Sequence, residues 1–157
     1  MQNPGYNSGS IIFSEGEWFP FRIHKLVQLK DDAWYYILQD GNGLKHFMPA
    51  EYYKTYGLKP GDEISCKIDR INCTGRIFLE PRHPIYKEGE SYYFDIIKDS
   101  NPDIEDVLMV TENSGNIIEV PVIGIKKVDI NDEKRVRCIV KCITKGRIIL
   151  EISPEFA

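Results

Sequence analysis

The chain has 157 residues, 42% of them hydrophobic and 28% charged, which is ordinary for a soluble globular protein. It has no apolar run of roughly eighteen residues that could cross a membrane as a helix, and Met1 to Gly5 shows neither the basic start nor the apolar stretch of a signal peptide. The net charge of −4 arises entirely in the second half: residues 1–86 carry ten Lys/Arg and ten Asp/Glu, residues 87–157 ten and fourteen. That balance argues against tight, sequence-blind binding to nucleic acid, whose affinity comes from neutralised phosphates, but leaves room for a local basic patch on the first half.

Residues 1–14 combine Asn, Gly, Ser and Pro with Ile11-Ile12-Phe13 and read as a loose arm whose end can add a short strand. A first strand is expected over 18–27, with Pro20 marking an edge position or a strand start. After the turn Lys30-Asp31-Asp32 comes an aromatic-rich strand over 33–39. Asp40-Gly41-Asn42-Gly43 is a hairpin signal, followed by a third strand over 44–48. Residues 49–57 read as a short helix, with Pro49 at its start and Gly57 at its end. Tyr52 and Tyr56, four apart, would then share the face that caps a barrel. A fourth strand over 63–71, a tight loop at 72–75 and a fifth strand over 76–80 complete the series. Pro81-Arg82-His83-Pro84 reads as a stiff linker.

The order then recurs, with strands expected over 92–98, 107–111, 116–120, 134–143 and 147–152. Residues 122–127, β-branched and containing Gly124, replace the helical segment. The recurrence is visible in the letters themselves. Glu15-Gly16-Glu17-Trp18-Phe19 returns as Glu88-Gly89-Glu90-Ser91-Tyr92, Asp40-Gly41-Asn42-Gly43 as Glu112-Asn113-Ser114-Gly115, and Gly75-Arg76-Ile77-Phe78-Leu79-Glu80 as Gly146-Arg147-Ile148-Ile149-Leu150-Glu151. The spacing drifts from 73 to 72 to 71, as single-residue loop changes produce. A fixed period of this kind marks repeated units. The expected organisation is an arm at 1–14, a first barrel at 15–81, a linker at 82–87 and a second barrel at 88–157. Units this small have marginal cores, so the two are expected to pack together.

Five strands with a connector between the third and fourth describe an all-β, OB-type barrel, here as two tandem five-stranded copies. Gly43-Leu44-Lys45-His46, Gly57-Leu58-Lys59-Pro60-Gly61-Asp62-Glu63-Ile64, Lys67-Ile68-Asp69 and Gly75-Arg76-Ile77-Phe78-Leu79 together resemble the RNA-binding domain first seen repeated in the largest small-subunit ribosomal protein. The resemblance covers residues 17–81 fairly and 90–153 faintly. It implies the barrel fold and single-stranded RNA as ligand.

Alternation along strands puts one parity inside and the other outside. Aligning the repeats sets Phe47 against Glu119 and Gln39 against Thr111, so that parity is assigned outward. Tyr35, Lys45 and Phe47 then lie on the outer face of strands two and three, while Trp34, Tyr36, Leu38, His46 and Met48 point inward. An exposed Tyr and Phe beside a Lys suits a stacking platform for unpaired bases, and Lys25, Lys67, Arg70 and Arg76 could add phosphate contacts. The alternative is that Tyr35 and Phe47 pack under the arm or against the second barrel. Since fourteen of the eighteen aromatic residues lie in residues 1–86, a ligand-binding copy would be the first. The expected function is therefore a binding module for single-stranded RNA or DNA. The alternative function is a protein-interaction module whose partner lies on the same aromatic face.

Nothing points to catalysis. There is no nucleophile elbow and no phosphate-binding Gly loop between a strand and a helix. His24, His46 and His83 do not fall at metal-ligand spacings, and Cys138 and Cys142, set on one face of a strand, are too far apart along it for easy chelation. Neither a metal nor another cofactor is expected. Cys66 and Cys138 occupy equivalent positions between apolar residues and read as core thiols. With no sign of secretion or membrane insertion, the chain is read as cytoplasmic.

Overall fold

The computed structural model describes residues 10–97, 106–122, 128 and 130–153. It divides into two compact units, Met1–Pro84 and Ile85–Ala157. The first holds β1 (Trp18–Gln28), β2 (Trp34–Gln39), β3 (Lys45–Pro49), a 3-10 turn over Glu51–Tyr53, β4 (Glu63–Ile71) and β5 (Ile77–Pro81). The second holds β6 (Ser91–Ile96), β7 (Val107–Thr111), β8 (Ile117–Pro121), β9 (Arg135–Thr144) and β10 (Arg147–Ile152). Each set forms one five-stranded antiparallel sheet. The orders are β3-β2-β1-β4-β5 and β8-β7-β6-β9-β10, which is the same order in both units.

The sheets curl because their central strands serve two neighbours in succession. Trp18 to Arg22 of β1 pair with β4, and Arg22 to Gln28 pair with β2. Pro20 falls in the first stretch, where only β4 flanks it, so its missing N–H breaks no ladder on the other side. In the second unit the outer strands β8 and β10 come to lie against each other and nearly close a barrel. In the first, β3 and β5 meet over a shorter stretch.

Each curled sheet wraps its own core. Ile23, Leu38, Met48 and Ile68 are sealed in the first, Phe94, Leu108, Val120 and Val140 in the second. Cys66 and Cys138 are both fully buried, as their apolar neighbours require. The segment before each central strand plugs one end of its core. Phe13 stacks on Phe21 and meets Phe19 edge-on, with centroids 5.9 and 4.9 Å away. Tyr86 does the same with Phe94 and Tyr92, at 5.5 and 5.1 Å. Tyr86, expected in the linker, is thus a core residue of the second unit. Residues 10–14 form no strand: Ile11 and Asn42 instead exchange two hydrogen bonds of 2.9 Å. Gly41 lets Ile11 approach, since a Cβ there would overlap the Ile11 side chain. The arm residues 1–9 and most of the segment 122–127 lie outside the described residues.

The Glu-Gly-Glu motif has a physical function in both units. Gly16 and Gly89 take φ of +83° and +84°, a turn that few other residues adopt without strain. The turn aims the first glutamate at a bulged strand. Glu15 Oε1 accepts from the Ile71 amide at 2.8 Å, and Glu88 Oε1 from the Ile143 amide at 2.9 Å. These amides follow bulges in which Asp69 and Lys141 are the extra residues. A bulge reverses the alternation beyond it. Ile143 therefore turns into the core, and Cys142 faces away from Cys138 rather than sharing its face. This corrects simple alternation, which set both cysteines on one side.

The helix expected over 49–57 is replaced by the single 3-10 turn. Ala50 at its start supplies no side-chain cap, and Tyr53 is drawn into the core, donating its hydroxyl to buried Glu80 at 3.0 Å. Tyr53 therefore packs into the core of the first unit, with Tyr56 packed edge-on against it and Tyr52 left 38% exposed.

Burial makes the folded protein resist ionisation at these core positions. It raises the thiol of Cys138 from 9.0 to about 12. Burial followed by the nearby Glu80 charge raises Tyr53 and Cys66. An unfolded chain releases those protons from about pH 9 to 10 upward, while the native state keeps them. The associated stability is present below pH 9 and is lost as pH rises through the folded values, at about 1.4 kcal/mol per pH unit per group. Urea midpoints are expected to hold steady from about pH 7 to 8.5 and fall steeply by about pH 10.5. Cys138→Ala should flatten the alkaline loss of the second unit.

Candidate nucleic-acid interface

In the first unit, a cleft of about 490 Å³ opens where β3 and the β4–β5 loop approach each other. Tyr35 from β2 and Lys45, His46 and Phe47 from β3 form one wall, Gly75, Arg76 and Ile77 the other, and Leu29 after β1 one end.

The β1–β2–β3 register builds the aromatic wall. A bulge at His24 shifts β1 so that Lys25, Ile37 and Phe47 lie in one cross-strand row. Ile37 is 9% exposed, but Phe47 above it remains 44% exposed. Tyr35 meets Phe47 edge-on, with centroids 6.2 Å apart and ring planes at 89°. The Tyr35 hydroxyl donates to Asp31 Oδ2 at 3.0 Å, and this bond raises its pKa above the ordinary phenol value. The hydrogen bond thus holds the ring upright beside Phe47.

The β2–β3 hairpin is locked from inside by Asp40. Its side chain is fully buried. Oδ1 accepts from the amides of Asn42 and Leu44 at 2.8 and 2.9 Å, and Oδ2 lies 2.7 Å from His46 Nε2. His46 also meets the rings of Phe13 and Phe21 edge-on. It points toward the end of the core, as alternation expects, and its strand segment lines the cleft. In the second unit Glu112 takes the place of Asp40, accepting from the Ser114 and Asn116 amides at 2.9 and 3.3 Å.

The other wall is fixed by Asn72. Its Oδ1 accepts from the amides of Thr74 and Arg76 at 3.1 and 2.8 Å, while Asn72 N donates to Arg76 O at 2.9 Å. The guanidinium of Arg76 lies 4.9 Å from the Phe78 ring centre and that of Arg70 lies 4.4 Å from the same centre. Among the described residues, Lys45, Arg70 and Arg76 have no ion-pair partner.

Of the residues singled out in the sequence, Tyr35, Lys45, Phe47 and Arg76 therefore line one cleft; Arg70 does not line it, and its guanidinium shares the Phe78 ring with that of Arg76. Lys25 stands in the Phe47 row but does not line the cleft. Lys67 is not brought there: it sits on β4 opposite Trp18 and Glu80. The described arm residues do not form a cover over Tyr35 and Phe47, since Ile11 binds Asn42 and Phe13 packs on Phe19, Phe21 and His46. Trp34, assigned inward, is 50% exposed, because it is the first residue of β2 and lies beyond the last core layer. The sequence does not single out Leu29, Gly75 and Ile77, which line the cleft. The Gly75-Arg76-Ile77-Phe78 string carries that signal through the resemblance and as the start of the fifth strand.

The matching face of the second unit is different. Val107, Met109, Ile117 and Glu119 stand where the first has Tyr35, Ile37, Lys45 and Phe47, and the two-residue turn Lys145–Gly146 is shorter than the Asn72 loop. No group of three metal-ligating side chains lies together among the described residues, and no helix among them is long and apolar enough to cross a membrane. Compared with known protein families, with curated proteins and with solved structures, the chain matches none.

Proposed function

We propose that the chain is a tandem pair of OB-type barrels whose first barrel binds single-stranded nucleic acid in the β2–β3 cleft, with RNA favoured by the resemblance to the ribosomal RNA-binding domain. The common strand order and the paired Glu15/Glu88, Asp40/Glu112 and Phe13/Tyr86 devices support descent from one repeated unit. One observation carries the ligand: an exposed Phe47 buttressed by Tyr35, flanked by Lys45 and Arg76, neither of which has an ion-pair partner among the described residues. Bases of any identity can stack on such rings, and the cations suit phosphate. The module acts by binding rather than by catalysis. Its four free thiols, two of them sealed in cores, suit the reducing cytoplasm.

The test is titration of mixed-sequence single-stranded RNA at about 50 and 200 mM salt. Neutralising two or three phosphates predicts about a five- to twenty-fold loss across that range. Absence of binding at the lower salt contradicts the reading and turns attention to a protein partner on the same face, which Leu29, Tyr35 and Phe47 would contact.

A further inference from the structure

We infer that the cleft receives the end of a strand, and that Arg70 and Arg76, organised by Phe78, are its subsite for a terminal phosphomonoester. This rests on the binding reading above and adds which part of a nucleic acid is recognised.

The placement of both arginines is specific. Arg70 has the parity of buried Cys66 and Ile68 and would point inward on a regular strand. The bulge at Asp69 turns it outward, directly opposite Phe78. Arg76 precedes Phe78 by two positions and so shares its face. Both guanidinia then lie over one ring, at 4.4 and 4.9 Å from its centre. Stacking uses the flat face of a guanidinium and leaves N–H donors along its edge. The Asn72 bonds hold the Arg76 backbone, so the pair is partly organised before any ligand arrives.

Two cations share this ring and, among the described residues, neither has an ion-pair partner. A dianion answers two such cations better than a monoanion does. An internal phosphodiester carries one negative charge, whereas a terminal monoester carries about 1.5 to 2 at neutral pH and offers three oxygens. Guanidinium forks match those oxygens in geometry as well as charge. A cleft of about 490 Å³ is on the scale of a small-ligand site, room for a nucleotide or two rather than a long track. Bases would stack on Phe47 with Lys45 serving an internal phosphate. The matching positions of the second unit are Cys142, Arg147 and Ile149, with one arginine in place of two.

The full chain is titrated with four-nucleotide RNAs ending in a 5′-phosphate, a 3′-phosphate or hydroxyls only. One phosphorylated end is expected to bind about tenfold or more tighter than the hydroxyl-ended strand, the scale of charge-assisted hydrogen bonds. The double variant Arg70→Gln/Arg76→Gln should bring that ratio to about one, with the urea midpoint unchanged. Equal affinity for all three RNAs, or a preference that survives the double variant, overturns this inference and leaves the binding reading standing. Failure of every RNA to bind overturns both.

Discussion

Replacing Asp40 by alanine is expected to lower the stability of the first unit by about 3 kcal/mol. The substitution strips three partners at once: the Asn42 amide, the Leu44 amide and the His46 ring. The carboxylate is buried while Asn42 and Leu44 are exposed, so water replaces the lost acceptor only in part, and the three lost bonds together cost about 3 kcal/mol. Asp40→Asn keeps the volume and one carbonyl acceptor and should restore roughly half of the loss. Both tryptophans, Trp18 and Trp34, belong to the first unit, so their fluorescence in a urea titration reads this unit alone. A change below about 0.5 kcal/mol would mean that the carboxylate is dispensable to the hairpin. Because Asp40 joins the strands that present Tyr35, Lys45 and Phe47, the same variant should weaken ligand binding as well.

The second large effect concerns the rings. Tyr35→Ala with Phe47→Ala is expected to weaken RNA binding by about 100-fold or more, since each base–aromatic stack contributes about 1–3 kcal/mol. The single changes should not add simply: the rings touch at 6.2 Å, and loss of either releases the other. Fluorescence-detected unfolding should move little, because Phe47 is nearly half exposed and does not belong to the core. A double variant that binds as tightly as the parent chain would separate the cleft from any ligand role.

How much of this was legible in the letters follows from where regular alternation holds. On β2 and β3 it does, so aligning Phe47 with Glu119 was enough to bring Tyr35, Lys45 and Phe47 to one face and to send Tyr36, Leu38 and Met48 inward. On β1, β4 and β9 it breaks at His24, Asp69 and Lys141. A bulge leaves no clear mark in residue type, and it decides where Arg70 and Cys142 point. The Glu-Gly-Glu repeat was visible at once. Its purpose, a carboxylate reaching the Ile71 or Ile143 amide, needed the fold, because the partners are 56 and 55 residues apart. In sequence Phe13 and Tyr86 look like parts of an arm and a linker, yet each packs into a core, a role set by packing rather than by local pattern. Residues 49–57 carried helix punctuation, but burial of Tyr53 against Glu80 overrode it. Charge alone singles out Lys67, and charge does not say which side of a curled sheet a residue occupies.

The most direct test is amide-shift mapping on the isotopically labelled full chain with a short single-stranded RNA. Binding in the cleft predicts changes concentrated at Tyr35, Lys45, Phe47, Gly75 and Arg76, with the face of Met109 and Glu119 quiet. Shifts centred on the second unit, or none at about millimolar RNA, would contradict it.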